Sequence, residues 1–336
     1  MLEYPFKDMP APGTAVEVAP GVHWLSMPLP FQLNHINLWL LEDEGAWTIV
    51  DCGIGYDETR AVWEKLFVRI TNVKRVILTH YHPDHAGNAA WLCERFGAEL
   101  WTTQGEYLTA HAVRSSSAGY TSEAVLSVFR KNGLDEARYA SMAGRGNRYA
   151  ELVPEFPHSY RRIIEGDRVR IGGNEWRAIV GHGHAPEHLS LHCEALNAVI
   201  AGDMLLSTIS TNVSVWSIDP EGDPLRLFLE SIARYRELLA DALVLPSHGK
   251  PFRGAHERVA QLEAHHEARF AELMQALRGT ACSAGDLLGV LFRRQLDAHQ
   301  MFFAMGEAIA HLHYLYYAGR ASRSVGADGI MRYATP

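Results

Sequence analysis

Seven of the 18 histidines fall in two short windows, His80, His82 and His85 in the first and His182, His184, His188 and His192 in the second. The first window reads Thr79-His80-Tyr81-His82-Pro83-Asp84-His85-Ala86-Gly87. If a strand ends at Thr79, His80 and His82 project to the same side of the extended chain and can reach one metal ion. Pro83 suits the first position of a helix, which turns Asp84 and His85 in a new direction, toward a second ion. Gly87 leaves space where another stretch of backbone comes close.

Three more candidates stand at the ends of apolar, strand-like runs, where layered α/β proteins gather their functional loops. They are His184 after Trp176 to Val180, Asp203 after Ala198 to Gly202, and His248 after Leu243 to Ser247. Singly each is weak, since an Asp after Gly is ordinarily a turn residue. Together they make a donor set of imidazoles and carboxylates without thiolate, which suits two divalent ions, zinc first and iron or manganese as alternatives. Two ions ~3.5–4 Å apart can share a water and acidify it, giving a hydroxide that attacks a carbonyl or phosphoryl centre. No G-x-S-x-G elbow is present, so no serine nucleophile is called for.

The elements that must position these residues follow from periodicity. Residues 14 to 50 alternate apolar and polar and predict an antiparallel meander, followed by a helix near 58–70 and a buried strand at 75–79. Strands are expected again at 168–171, 175–180, 189–192, 198–201 and 242–245, with a helix over 225–239 between the last two. Alternating strands and helices predict an α/β fold with sheets covered by helices. Residues 104–160 interrupt the pattern with helices and glycine breakers and are expected to form a helical lid insertion. After Pro251 the sequence is almost wholly helical, over 255–278, from a Ser283 cap to 293, and over 298–318, ending in a hairpin near Asp328-Gly329. The expected division is a catalytic domain at 1–252 and a small, mostly helical C-terminal domain at 253–336.

Taken in order, T-H-Y-H-P-D-H-A-G, G-H-A-P-E-H, A-G-D-M and P-S-H-G-K-P-F, preceded by Val50-Asp51-Cys52-Gly53, resemble the metallo-β-lactamase-fold hydrolases over residues 15–252. The likeness is greatest to the branch containing glyoxalase II and its thioesterase and lactonase relatives. The resemblance implies a four-layer αββα sandwich with a dinuclear metal site. His80, His82 and His184 would hold the first metal, Asp84, His85 and His248 the second, and Asp203 would bridge them. Asp84 would also be the catalytic residue, at the point where the attacking hydroxide is oriented, and Asp51 would orient a ligand without binding metal. His184-Ala185-Pro186-Glu187-His188 matches the family's H-T-P-G-H, which favours His184 over His182 and leaves His182 and His188 beside the pocket. Glu187 and Cys52 stand where the family often has Gly and Thr. His35 lies in a stretch resembling the loop that enters the family's second strand, where it lines the pocket or packs in the core. The C-terminal domain resembles the winged-helix-like domain of a subgroup that includes endoribonucleases.

Composition narrows the partners. The formal charge of −8 gives no general attraction to nucleic acid or anionic membranes, and residues 255–336 hold eight Arg, no Lys and eight acidic residues. That neutral, aromatic-rich module is expected to serve as packing or homodimer surface. Arg145, Arg148, Arg161 and Arg162 could clamp an anionic substrate group, the alternative being a solvated helix face. The four cysteines read as free thiols, and no membrane span or secretory leader is seen, so a cytoplasmic protein is expected. The expected activity is metal-dependent hydrolysis of a small ester or thioester, of acyl-CoA or glutathione type. The alternatives are a phosphodiesterase or endoribonuclease, a lactonase, and a mononuclear iron dioxygenase of persulfide type.

Overall fold

The structure, a computed structural model, describes every residue except Gln32, Arg145 and Gly146. Two mixed sheets form the centre of a first compact unit, made of residues 1–115, 148–211 and 231–259. The seven-stranded sheet follows chain order: Val16–Ala19, Val22–Pro28, His35–Asp43, Ala46–Val50, Val73–Ile77, Glu99–Thr102 and Arg161–Arg162. Its first four strands are the expected antiparallel meander, and the last three join in parallel. The six-stranded sheet runs Phe252–Arg253, Leu243–Pro246, Ala198–Gly202, His188–Cys193, Asn174–Gly181, Arg168–Ile171, with one parallel pair between Ala198–Gly202 and Leu243–Pro246.

Period-2 alternation decides which side chains face which layer. Trp24, Trp39, Val50 and Ile77 of the first sheet meet Trp176, Leu189, Leu191, Ile200 and Leu245 of the second in one core. Their neighbours Leu25, Met27, Leu38 and Ile49 face the other way, against Val62, Trp63 and Leu66 of the helix Asp57–Leu66 and Leu92 of Ala89–Phe96. Fully burying one such leucine contributes about 1.5–3 kcal/mol. On the outer face of the second sheet, the Ser190 hydroxyl lies 2.6 Å from that of Tyr235, in the turn Arg234–Glu237. The α/β fold is therefore two facing sheets covered by helices.

The second unit gathers three separated segments, residues 116–147, 212–230 and 260–336. Ser283 caps its helix as the sequence suggests, forming a reciprocal capping box with Asp286 at Ala284–Leu291, and Asp297 caps Ala298–Tyr317. A hairpin pairs Ser322–Val325 with Met331–Ala334. This grouping differs from the expected lid. Gln104–Arg114 and Arg148–Leu152 stay with the first unit, whereas Ser122–Lys131 and Glu136–Met142 pack in the second. There Phe129 meets Phe302 at 5.5 Å, and the Gly285 N–H donates to the Asn132 carbonyl at 3.0 Å. Two segments of the second unit, residues 116–147 and 212–230, precede residue 252 in the chain. The apolar faces of short helices announce burial but not the surface they are buried against. Among the described residues no helix is long and apolar enough to cross a membrane.

Candidate metal centre

Every candidate ligand leaves the carboxyl end of a strand in the first unit. Val73–Ile77 leads to His80, Asn174–Gly181 to His184, Ala198–Gly202 to Asp203, and Leu243–Pro246 to His248. His82 immediately precedes the short helix Pro83–Ala86, with proline at its first turn, so Asp84 and His85 leave on a different heading. A Cβ at Gly87 would lie 2.2 Å from the Gly55 nitrogen, so only glycine lets this helix seat against the loop after Asp51. Gly202 has φ +54, and a Cβ there would lie 2.4 Å from Nε2 of His188. Glycine thus brings the Asp203 backbone onto His188.

Two donor groups result. His80, His82, His184 and Asp203 offer ligand atoms within 4.8 Å of one another, and so do Asp84, His85 and His248. Asp203 reaches both: its Oδ2 lies 3.5 Å from Nε2 of His184, and its Oδ1 lies 3.6 Å from Nε2 of both His85 and His248. Asp84 Oδ2 is 3.3 Å from Nε2 of His248 and 3.8 Å from that of His85. Nε2 of His80 is 2.9 Å from Nδ1 of His82 and 3.2 Å from Nε2 of His184. His182 is outside both groups, its Nδ1 bound to the Pro186 carbonyl at 2.7 Å.

The second set of partners fixes ring orientation. Asp51, in the left-handed region at φ 62, accepts from the Thr79 N–H and hydroxyl and from Nδ1 of His85 at 2.7 Å. That bond places the free nitrogen of His85, Nε2, toward the cluster. Nδ1 of His248 donates in the same way to the His35 carbonyl at 2.9 Å, and the His35 ring accepts the Gly249 N–H. His188 accepts the Asp203 N–H at 3.1 Å with its Nε2, so it supports Asp203 from behind. His35, His188 and Asp51 therefore hold the backbones and rings of the candidate ligands.

Electrostatics divides the cluster. Burial, reinforced by His184, depresses His82 to about 3, and burial with the neighbouring rings takes His80 well below the usual imidazole range. Burial opposes charge on His85 as well, but the carboxylates of Asp51, Asp84 and Asp203 push it up to about 10. Asp203, despite its burial, is held well below the usual carboxylate range by His248, His85 and His184. His80 and His82 are thus neutral and Asp203 ionised, the protonation states that bind divalent cations, whereas His85, and His248 with it, is raised by the facing carboxylates and would release a proton on binding one. His85 Nε2 and Asp203 Oδ1 are buried and have no hydrogen-bond partner among the described residues. A buried donor set with orphaned atoms turned inward fits cations, because such groups are costly unless something pairs with them.

The arginines expected to act together have separate partners. Arg148 pairs with Glu151 at 3.5 Å, Arg161 lies over the Trp101 ring at 4.4 Å, and Arg145 is outside the described residues. Arg162 lines a cavity of about 270 Å³ with His182, Glu187, Arg234 and Thr103. Sequence reasoning missed Glu106, whose buried carboxylate accepts the Tyr81 N–H at 2.9 Å and the Glu187 N–H at 2.7 Å. Burial pushes it up to about 8. A glutamate in the first turn of a helix carries no signal of that role, because its partners are backbone groups far away in sequence.

Comparison with known proteins agrees with this geometry. Residues 32–248 match the model of the metallo-beta-lactamase superfamily, and residues 270–336 match the metallo-beta-lactamase-like C-terminal domain. The crystal structure of a beta-lactamase domain protein from Burkholderia ambifaria is 49% identical, with a TM-score of 0.93, over 100% of this chain and 98% of that one. The probable metallo-hydrolase YqjP of Bacillus subtilis is 24% identical over 86% of this chain and 90% of its own length. The hydroxyacylglutathione hydrolase GloC of Haemophilus influenzae is 22% identical over 65% of this chain and 86% of its own length.

Proposed function

The chain belongs to the metallo-beta-lactamase superfamily, and from that premise we propose that it is a dinuclear metal-dependent hydrolase of a small ester or thioester. One observation carries the reading: the two oxygens of Asp203 face two different donor groups, three histidines on one side and Asp84, His85 and His248 on the other. A shared carboxylate between two such groups suits a pair of divalent ions better than one. When bound, two such ions supply Lewis acidity and a water acidified toward neutrality.

The chain's own residues would do the rest. His80, His82 and His184 would hold one ion and Asp84, His85 and His248 the other. Asp51 and the His35 carbonyl keep the rings of His85 and His248 turned inward, which lowers the reorganisation needed when substrate arrives. Asp84, whose Oδ2 lies 3.3 Å from Nε2 of His248, would orient the attacking oxygen as well as hold the second ion. The thioester preference rests on the glyoxalase II-like motif order and on the likeness to GloC, named as a hydroxyacylglutathione hydrolase.

The test is a substrate panel on protein loaded with zinc, iron or manganese: acyl-CoA and glutathione thioesters, a lactone, and bis-p-nitrophenyl phosphate. The proposal expects kcat/KM on at least one thioester to exceed that on the phosphodiester by about a hundredfold or more, about 2.7 kcal/mol of transition-state binding. A phosphodiester preference would move the protein to the nuclease-type reading. One iron per chain with oxygen uptake would move it to the dioxygenase reading.

A further inference from the structure

We infer that Glu106 is a positioning residue for the first donor group, tying the loop of His80 and His82 to the loop of His184 through a single buried carboxylate. The inference rests on the metal reading above. Glu106 belongs to the helix Gln104–Arg114 and to neither histidine loop. It is 1% exposed, and each of its oxygens takes one backbone N–H. Oε2 accepts from Tyr81, which sits between His80 and His82, at 2.9 Å. Oε1 accepts from Glu187, three residues beyond His184, at 2.7 Å. Two short hydrogen bonds from one buried side chain fix the backbone planes on which the imidazoles are mounted.

The clasp is reciprocal. Oε2 of Glu187 accepts the Gly105 N–H at 2.8 Å, and the Thr103 hydroxyl donates to the Glu187 carbonyl at 2.7 Å. Gly105 is tightly approached: a Cβ there would lie 3.0 Å from Cγ of Glu187. Four hydrogen bonds thus join residues 103–106 to the two loops. The second donor group gets its orientation elsewhere, from Asp51 for His85 and from the His35 carbonyl for His248. Asp51 also holds Thr79 beside His80, but the two bonds of Glu106 go to Tyr81 and Glu187, in the loops of the first group, so the first site should be weakened more than the second. The His80 loop has other supports, the Thr79 hydroxyl 3.1 Å from Nδ1 of His80 and the Tyr149 hydroxyl donating to the Tyr81 carbonyl at 2.6 Å, and a competing bridge between the two loops is the Leu189 N–H donating to the Thr79 carbonyl at 2.7 Å. If that bond sufficed, Glu106 would be dispensable.

Glu106→Gln discriminates, because an amide keeps the volume but has one acceptor, leaving either the Tyr81 or the Glu187 N–H opposite an NH2 group. In the metal-free variant, hydrogen exchange at the Tyr81 or Glu187 amide should quicken about tenfold or more. The Asn37 amide, bonded to the Ser247 carbonyl beside His248, should exchange as in wild type. Chelator competition should show one ion bound about tenfold or more weaker and the other unchanged, within the range expected for a residue that orients ligands. Thr103→Val, which loosens the clasp from the far side and keeps Glu106, should give a smaller change of the same kind, and it carries the test should Glu106→Gln not fold. Unchanged exchange and unchanged affinity for both ions would overturn the inference. So would equal weakening of both ions together with faster exchange at Asn37, since Glu106 would then support the whole fold. A wild-type protein that binds no metal would defeat the functional proposal instead, and the exchange result in the metal-free protein would still judge the clasp.

Discussion

Each compact unit buries a cluster of histidines, and the two clusters are built on different principles. In the first, three imidazoles converge on one side and two imidazoles with Asp84 on the other, and the two oxygens of Asp203 face both groups and make them one centre. In the second, Nδ1 of His266 lies 3.1 Å from Nε2 of His311, whose own Nδ1 donates to the Glu307 backbone carbonyl at 2.8 Å. Every proton there has an assigned place if both rings are neutral. Burial depresses His266 to about 3 and His311 to about 4, with no carboxylate among the causes to raise them. The lesson is that buried histidines become a candidate metal centre when ionised carboxylates face them; stacked against one another and a backbone carbonyl, they are core packing with a polar edge.

The largest effect expected from this contrast is at Asp203. Asp203→Ala removes the one carboxylate facing both donor groups, so elemental analysis of metal-replete protein should fall from about two ions per chain to one or none. Hydrolytic kcat/KM should fall at least about a thousandfold, about 4 kcal/mol. His266→Leu, in the other cluster, should leave metal content where it was. Metal loss in His266→Leu with retention in Asp203→Ala would reverse the comparison.

A finer cut lies within one loop. His184→Ala should lower occupancy of the first site and reduce activity by at least about a hundredfold, about 2.7 kcal/mol. His182→Ala should keep both ions, since that ring is bound to Pro186 and stands outside both groups. Equal metal loss in the two variants would show that the loop folds as a unit around the ion and that individual rings matter less than the geometry suggests.

The smallest effect is a pH dependence specific to the second unit. His266 and His311 stay neutral in the fold down to about 3 and about 4, while in the unfolded chain they protonate near 6.5. The unfolded chain therefore binds more protons, and stability falls as pH drops below about 6.5, by about 1.4 kcal/mol per pH unit for each such proton. Glu307 opposes part of this. Burial raises it to about 7, against 4.5 when unfolded, so between those values the fold binds the extra proton. Among these three groups one proton then offsets one of two, so together they contribute about 1.4 kcal/mol per unit between pH 6.5 and 4.5, and more below. Glu307→Gln should roughly double the slope in that window, measured by denaturant melts across pH. A slope unaffected by either Glu307→Gln or His266→Leu would mean that neither ring titrates on unfolding.

Much of the centre was legible in the chain. His80, His82, Asp84 and His85 lie within six residues, so local spacing decides where they point: strand alternation pairs the first two, and proline at a helix start redirects the others. His184, Asp203 and His248 were readable as strand-end residues because apolar runs mark their strands. The cap at Ser283 and the hairpin around Asp328 were equally local. What Arg148, Arg161 and Arg162 meet was not legible, since adjacency in sequence says nothing of the partners each side chain meets: Glu151 for Arg148, the Trp101 ring for Arg161 and a cavity wall for Arg162.

By itself, then, the sequence determined the donor types, their local geometry and the alternation that makes two facing sheets, because each depends on backbone periodicity within a few residues. Only the tertiary structure decided that Glu106 joins loops from residues 81 and 187 and that residues 116–147 pack with the C-terminal helices. Those outcomes depend on which buried surfaces and which backbone amides meet across long stretches of chain. Hydrophobic burial is non-directional, and a backbone N–H is the same group at every residue but proline, so neither leaves a mark that a local reading can find.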